Sequence, residues 1–342
     1  MGMRIIDIAQ EAGVSLMTVS RAINPQERRK VSPETLKIID EIVKRSGFKP
    51  NTAARHLRKS ATKIIGIIFP YYPGVFYSTY YSHILSGVAD YLVNTEYQFK
   101  LILLKEQDSY WDNYDFSAGE RVDGLIVTHW TQVFSMKSYL EKIDIPCVVI
   151  NDFEKDLKIG IVYGDSYGGG QTAAKYLFDK GHKHVAILNG PAWSKDAEQR
   201  IDGFQDFYNK KGIKIRPDLI VRADFSERKA FEQTASLIRK DPKITAIFCC
   251  NDEMAYGVLQ RLNELGINCP KRISVFGFDN NFQSAHVQPP LTTISVPVYD
   301  LAVESARSLV MHLQSPKSKN RFTGSKILPM QLIERESVRD LK

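Results

Sequence analysis

An all-α helix-turn-helix head with a hinge helix, followed by a two-lobed α/β core of parallel sheets, is the fold class this sequence predicts. Three observations predict it. Two short helices joined by a tight turn open the chain at Ile6–Ile23, IDIAQEAGVSLMTVSRAI. An excess of positive charge is confined to the same end, and from Lys63 onward apolar runs of strand length alternate with amphipathic helices.

The head is justified element by element. Ile6–Glu11 has apolar residues at helical spacing, and small Ala9 lets another helix approach. Gly13 supplies the positive φ of a sharp turn. Ser15 is a good N-cap, its hydroxyl free to accept a backbone N–H of the second helix. Val19, Ala22 and Ile23 face inward at i, i+3 and i+4, which leaves Leu16, Met17, Ser20 and Arg21 outside. A third helix begins at Ser32-Pro33-Glu34, a cap, an N1 proline and an acidic first turn. Leu36, Ile39, Ile42 and Val43 form its buried stripe, and Gly47 follows the basic last turn Lys44-Arg45. A helix-turn-helix offers the N-terminal side chains of its second helix to the major groove of DNA.

Charge supports that reading over three helices of an ordinary domain. Residues 1–60 hold 12 Lys+Arg and 6 Asp+Glu, whereas the other 282 hold 34 and 33. The basic excess therefore coincides with the helix-turn-helix, the footprint of a nucleic-acid reader attached to a neutral body.

In residues 50–59, PNTAARHLRK, Asn51 caps a short helix whose apolar face is Ala53, Ala54 and Leu57. About two turns of helix do not persist alone in water, because nucleation costs more than so few bonds return. Such a helix orders when something packs on its apolar face. A symmetry mate and a DNA minor groove both serve, with Leu57 as a wedge between base steps; the alternative is a linker that is merely helical.

The 342 residues allow a head plus one or two larger domains. No run of eighteen apolar residues exists and the N-terminus lacks a secretory apolar region, so no membrane role is expected. Cys147, Cys249, Cys250 and Cys269 show no metal-ligand spacing, and the first three lie in apolar runs, as buried thiols of a reducing cytoplasm do. Strands are predicted at Ile64–Phe69, Phe99–Leu104, Gly124–Thr128, Cys147–Ile150, Val185–Asn189, Leu219–Val221, Ile244–Cys250 and Ile273–Gly277. Amphipathic helices lie between most of them, among them Ile84–Val93, Gly170–Lys180, Arg200–Lys211, Arg228–Arg239 and Met254–Leu265. Continuous apolar strands alternating with helices indicate parallel sheets covered on both faces. The Gly-rich stretch Gly160–Gly170 is read as a break between two lobes, whose strand ends would face a shared cleft.

Catalytic chemistry is not indicated. GDSYGGG lacks the Lys-Ser/Thr of a phosphate loop and the spacing of a dinucleotide fingerprint. His182 and His184 in GHKH are read as a surface turn rather than a metal site, and no nucleophilic Ser has a plausible His and acid. Neither a cofactor nor a metal nor an enzyme activity is expected.

Taken in order, the motifs DIAQEAGVSLMTVSRAIN, VSPET, GFKPNTAARHLR, TKIIGII, RVDGLIV, QRIDGF, CCNDEMAYG, GFDN, PPLTTI and IERES resemble the lactose/galactose repressor (LacI-type) family of bacterial transcription regulators, from about Arg4 to Arg339. The resemblance implies a head at residues 1–48, a hinge helix and linker at 49–61, and a core at 62–342 like periplasmic sugar-binding proteins, working as a homodimer. The N-lobe would comprise about 62–160 plus 293–322, and the C-lobe about 161–290 plus 323–340. It also implies that the positions after Ser15 help to read bases. Here they are Leu16 and Met17, which can pack on thymine methyls but cannot make bidentate hydrogen bonds. Arg21 matches a base-contacting arginine able to fork onto guanine. Ser15, Thr18, Ser20 and Asn24 complete the head's DNA surface, the serines and threonine by touching phosphate, and Asn51, Ala53, Ala54, His56, Leu57 and Lys59 supply the hinge's.

For the cleft, aromatic Tyr71, Phe76 and Tyr77 after the first strand suit stacking on a sugar's C–H face, or else belong to a core or dimer surface. Arg200 is read as opening a helix, where a cation opposes the macrodipole unless it donates hydrogen bonds into the cleft. Asn251 and Asp279 each follow an apolar strand, and the resemblance implies that they and Arg200 contact an effector. Helix capping is the alternative for Asn251 and a turn role for Asp279. Asp152, Asp165 and Trp193 are candidates by position. The expected function is a sequence-specific repressor of palindromic operator DNA controlled by a small carbohydrate-like effector. The alternatives are control by a purine-like co-repressor or a phosphoprotein partner, or a sugar-binding protein with no DNA role.

Overall fold

The structure, a computed structural model, describes residues 5–23, 28–46, 61–71, 73–104, 122–128, 145–151, 159–315 and 322–342. The chain divides into two compact units, Met1–Ala61 and Thr62–Lys342. The expected contacts at Asn24, Asn51, Ala53, Ala54, His56, Leu57, Lys59 and Asp152 lie outside the described residues.

The first unit holds α1 (Ile5–Glu11), α2 (Leu16–Ile23) and α3 (Pro33–Ser46), with a 3₁₀ turn at Arg28–Lys30. Gly13 takes φ 62°, and the amide of Val14 donates to the Ala9 carbonyl at 3.1 Å, which turns the chain between α1 and α2. Ile8, Ala9, Val19, Ala22, Ile39 and Ile42 form a buried apolar core, with Ala12, Val14, Ile23, Val31, Leu36 and Val43 packed around it. These are the inward faces that helical spacing selects. Ser32 caps α3, its hydroxyl accepting from the Thr35 amide at 3.3 Å. Ion pairs Arg28–Asp40 and Arg45–Glu11 tie the helices together from outside.

The second unit is built on two parallel sheets. The first contains β1 (Ile64–Pro70), β2 (Gln98–Leu104), β3 (Gly124–Thr128), β4 (Cys147–Ile150), β5 (Gly160–Gly164) and β11 (Gly324–Leu328), in the order β11-β5-β4-β3-β1-β2. The second contains β6 (Val185–Asn189), β7 (Ile220–Arg222), β8 (Ala246–Cys249) and β9 (Ser274–Phe276), ordered β7-β6-β8-β9. A two-stranded antiparallel ribbon joins β10 (Thr293–Ser295) to β12 (Gln331–Ile333). Helices α4 (Thr79–Leu92) and α9 (Val298–Gln314) pack together and α9 covers β3, β4 and β5, whereas α5 (Ser166–Asp179), α6 (Lys195–Lys210), α7 (Glu227–Lys240) and α8 (Asp252–Glu264) accompany the second sheet. Alternate residues of β1 feed opposite faces of its sheet: Ile65, Ile67 and Phe69 join the core shared with the second sheet, and Ile68 joins a separate cluster with Leu125 and Val127. Burial on both faces is why such strands read as unbroken apolar runs.

One segment differs from expectation. Gly160–Gly164 is not a break but an inner strand paired with both β4 and β11. Its terminal glycines leave room for neighbouring side chains: a Cβ at Gly160 would lie 2.0 Å from the Phe322 ring, and one at Gly164 2.5 Å from Met330. The passage to the second sheet follows Gly164, and the chain returns through α9 to β11 before crossing again to β12. Residues 324–328 therefore lie in the first sheet, while the amide of Val275 in β9 donates to the Ser337 carbonyl at 2.9 Å.

Candidate functional site

The head's candidate contact surface is α2. The Ser15 hydroxyl accepts from the Thr18 amide at 3.1 Å and shares a hydrogen bond with the Thr18 hydroxyl at 2.9 Å, so the cap is made as its residue type predicts. With Val19 and Ala22 fully buried, the helix is oriented by its apolar face and its other side turns outward. Met17 is 62% exposed, an apolar side chain with nothing to hide behind, and Arg21 is half-buried. An exposed methionine beside an arginine suits apolar contact plus a forked donor.

In the second unit the candidate cleft is assembled at the C-terminal strand ends, where ligands sit in open parallel sheets. Asn251 follows β8 and caps α8, its Oδ1 accepting from the Met254 amide at 2.9 Å. Its Nδ2 donates to Glu253 Oε2 at 2.6 Å, so capping and a role in a polar network coexist. Asp279 follows β9 with φ 115°, in the left-handed half of the backbone map that side chains rarely occupy. Arg200 reaches it: Nη1 lies 3.1 Å from Asp279 Oδ1 and also donates to the Cys250 carbonyl, while the guanidinium lies 4.0 Å from the Phe278 ring centre. Arg200 is 4% exposed, and its Nε is buried without a partner.

The reading of Arg200 as a helix opener is corrected. Helix α6 begins at Lys195 behind the Ser194 cap, so Arg200 sits in the second turn, and its burial rather than the macrodipole sets its cost. The His182 surface turn is corrected too. His182 is fully buried, its ring nitrogens 3.0 Å from Thr245 Oγ1 and 3.1 Å from the Arg339 carbonyl, and burial pushes its pKa down to about 4. It is a structural histidine that joins the second sheet to the C-terminal segment.

Three acidic residues that sequence reasoning missed belong to the same cluster. Asp196, one helical turn before Arg200, accepts from Asn151 Nδ2 and from Ser166 Oγ, and burial raises it to about 6. Asp252 accepts from Ser284 Oγ, from Thr293 Oγ1 at 2.7 Å and from the Asn281 amide at 2.8 Å, and burial raises it to about 6 as well. Glu253 accepts from Asn251 and from Asn281 Nδ2, and burial raises it. Asp279 is raised by burial against the pull of Arg200, with Glu253, Asp252 and Asp196 adding to the rise. The i, i+4 spacing of Asp196 and Arg200 was a usable sequence signal; Glu253 and Asn281 meet only through the fold.

The two sheets are joined by hydrogen bonds at this place. Asn151, after β4 of the first sheet, donates to Asp196 of α6 at 2.5 Å, and Thr79 at the start of α4 donates to Asn281 Oδ1 at 3.0 Å. Nearby, Phe76 packs edge-on against Phe69 with centroids 5.6 Å apart, Tyr71 is exposed, and Tyr77 is 94% exposed. Trp193 is half-buried in the turn before α6, and Asp165 caps α5 by accepting from the Gly168 amide. Arg200, Asp279 and Asn251 thus converge, whereas the aromatics stand on the first sheet's side. Among the described residues no His/Cys/Asp/Glu group is arranged to hold a metal ion, and no helix is long and apolar enough to cross a membrane.

Comparison with known proteins gives two family matches: bacterial regulatory proteins of the lacI family over residues 4–51, and a periplasmic binding protein-like domain over residues 174–338. The HTH-type transcriptional repressor PurR of Histophilus somni (strain 129Pt) is 32% identical over 344 residues, covering 98% of this chain and 99% of that one. Among solved structures, a complex of the transcriptional regulator CelR with cellobiose aligns with TM-score 0.72 at 24% identity, covering 98% and 99% of the two chains. The lac repressor dimer bound to operator and the anti-inducer ONPF aligns with TM-score 0.71 at 22% identity, covering 99% and 100%.

Proposed function

Because the chain belongs to the lacI family of bacterial regulatory proteins, we propose that it is a transcription repressor whose hold on a palindromic operator is set by a small polyhydroxylated effector bound between its two sheets. The observation that carries the effector half of this reading is the meeting of Arg200, Asp279 and Asn251 at the strand ends of the second sheet. Arginine donors beside amide and carboxylate acceptors match the alternating donors and acceptors of a polyol. The aromatics Tyr71, Phe76 and Tyr77 then offer a stacking face from the first sheet, and Asp152 and Trp193 complete the proposed lining. Both the cellobiose-bound regulator and the anti-inducer-bound lac repressor share this fold, which supports a small-molecule ligand.

For the DNA half, Ser15, Leu16, Met17, Thr18, Ser20, Arg21 and Asn24 are the proposed head contacts, with Arg21 the specifying one. In the proposed working unit, a homodimer in the cytoplasm, residues 49–61 act as a hinge, and Leu57 wedges between base steps. Effector binding shifts the population between two arrangements of the body, and only the arrangement favourable to the hinge holds operator. A ligand moves such a balance by its differential affinity for the two states, typically about 1–3 kcal/mol of coupling. The test is operator titration by fluorescence anisotropy with and without candidate polyols. An operator affinity that no stabilising ligand changes would remove the regulatory half of the proposal.

A further inference from the structure

Charge around the cleft does not balance. Asp196, Glu253 and Asp279 all lie within the field of Arg200, so one guanidinium faces three carboxylates. Asp252, behind them, is committed to Ser284, Thr293 and the Asn281 amide. Arg335, the next cation along, is occupied with Asn280 Oδ1 and the Leu291 carbonyl, each at 2.7 Å. The other partners are neutral: Asn151 and Ser166 donate to Asp196, and Asn251 and Asn281 donate to Glu253. Amide and hydroxyl donors steady a carboxylate but leave its charge in place. Arg200 cannot serve an incoming anion without leaving Asp279 and the Cys250 carbonyl, yet its buried Nε still lacks an acceptor.

We propose that this cleft takes an uncharged or amine-bearing polyol and rejects anionic ones such as sugar phosphates, sugar acids and nucleotides. The inference rests on the effector reading above and narrows it by charge. A hydroxyl oxygen can accept from Arg200 Nε while its proton goes to a carboxylate, and an ammonium would offset part of the acidic excess. A phosphate or carboxylate group instead meets like charge in a poorly solvated place, which costs several tenfold steps of affinity. Anionic members of matched ligand sets are expected to bind on the order of a hundredfold more weakly than their parents.

The experiment has two arms on the full chain. In the first, the thiol introduced by Trp193→Cys is modified with a cationic and an anionic methanethiosulfonate, each rate normalised to free cysteine and the unsubstituted chain serving as blank. The cationic reagent is expected to react several-fold faster, and the ratio should fall toward one when Asp196→Asn and Glu253→Gln are added. Equal rates, or a faster anionic reagent, overturn the proposal. In the second arm, glucose, glucosamine, glucose 6-phosphate and glucuronate, with pentose and disaccharide counterparts, are compared by thermal shift. A phosphorylated or acidic member that stabilises as well as its parent also overturns it. A cationic preference in the first arm, with no polyol altering operator affinity, instead sinks the effector reading and leaves the charge assignment standing.

Discussion

Head and body keep their charges in opposite places. The core of the head is wholly apolar, and its ion pairs, Arg28–Asp40 and Arg45–Glu11, lie at the surface with Arg45 71% exposed. The body buries Arg200 among Asp196, Asp252, Glu253 and Asp279. Surface charge is screened, mobile and individually weak, which suits a grip made of many salt-sensitive contacts. Buried charge is fixed and costly to leave unpaired, which suits discrimination between one small molecule and another.

The largest effect should come from unpairing the buried charge. Arg200→Met is expected to cost about 3–5 kcal/mol at neutral pH, because it strands Asp279. Its counterpart in the head, Arg45→Met, should cost less than about 1 kcal/mol. The sign with pH follows from Asp279, whose pKa is already raised by burial and would rise further without Arg200. A raised carboxyl contributes stability that is present in acid and lost as pH rises, so the Arg200→Met deficit should shrink toward pH 5. Denaturant melts of both variants at pH 5 and 8 measure this. Equal costs in head and body would erase the contrast.

Glycines sharpen the same comparison through packing. A Cβ on Gly170 of α5 would lie 2.0 Å from the Arg200 carbonyl oxygen, so the two helices can approach only because that position has no side chain. Gly13 in the head has open space but φ +62°. Gly170→Ala should therefore cost about 3 kcal/mol through overpacking, and Gly13→Ala about 1 kcal/mol through backbone strain. Calorimetry that ranks them the other way would remove the close-packing argument.

The third expected effect concerns acid. His182 titrates near 4 in the fold against 6.5 as a free side chain, so the unfolded chain binds more protons between those values. Its contribution is full above about pH 6.5 and gone below about 4, a swing of about 3 kcal/mol. Asp196 and Asp252, raised from 3.8 to about 6, act with the opposite sign: their contribution is present below 3.8 and lost as pH rises through 6. The advantage of the native chain over His182→Asn should thus decline from pH 6.5 to 4, and that over Asp196→Asn should grow over the same descent. Parallel curves for all three proteins would contradict both assignments.

What could be read in the sequence follows from how each element is solvated. Strands β1, β3, β4, β6 and β8 are buried on both faces and announce themselves as apolar runs. Strand β5 carries glycine at both ends and was hidden, although its middle is as buried as its neighbours. Strand β11, GSKIL, lies exposed on a sheet edge and gives no periodic signal. Helix α9 lacks a side-chain cap, with Pro297 at its N-cap position, so nothing punctuates its start. In the candidate cleft, Arg200, Asn251 and Asp279 were legible because each ends or follows a strong element. Asp196, Glu253 and Asn281 were not, since only tertiary contact explains a carboxylate surrounded by amides. His182 looked exposed because its neighbours Lys183 and His184 are.

The smallest expected effect lies in the head, on DNA. Arg21 is half-buried on the outward side of α2, one turn beyond exposed Met17. If it reads a base edge, Arg21→Ala should cost about 1–3 kcal/mol on operator and relax preference at one base pair in each half-site. Neutralising Lys59, proposed as a phosphate contact, should instead weaken all duplexes alike and lower the slope of log affinity against log salt by about one. The two variants differ in kind, and titrations against operator and scrambled DNA at three salt concentrations separate them. Equal losses on both duplexes for Arg21→Ala would mean that this arginine positions the head without specifying sequence. Readout would then fall to apolar contacts such as Met17, whose truncation to alanine should lower affinity most at thymine-bearing positions.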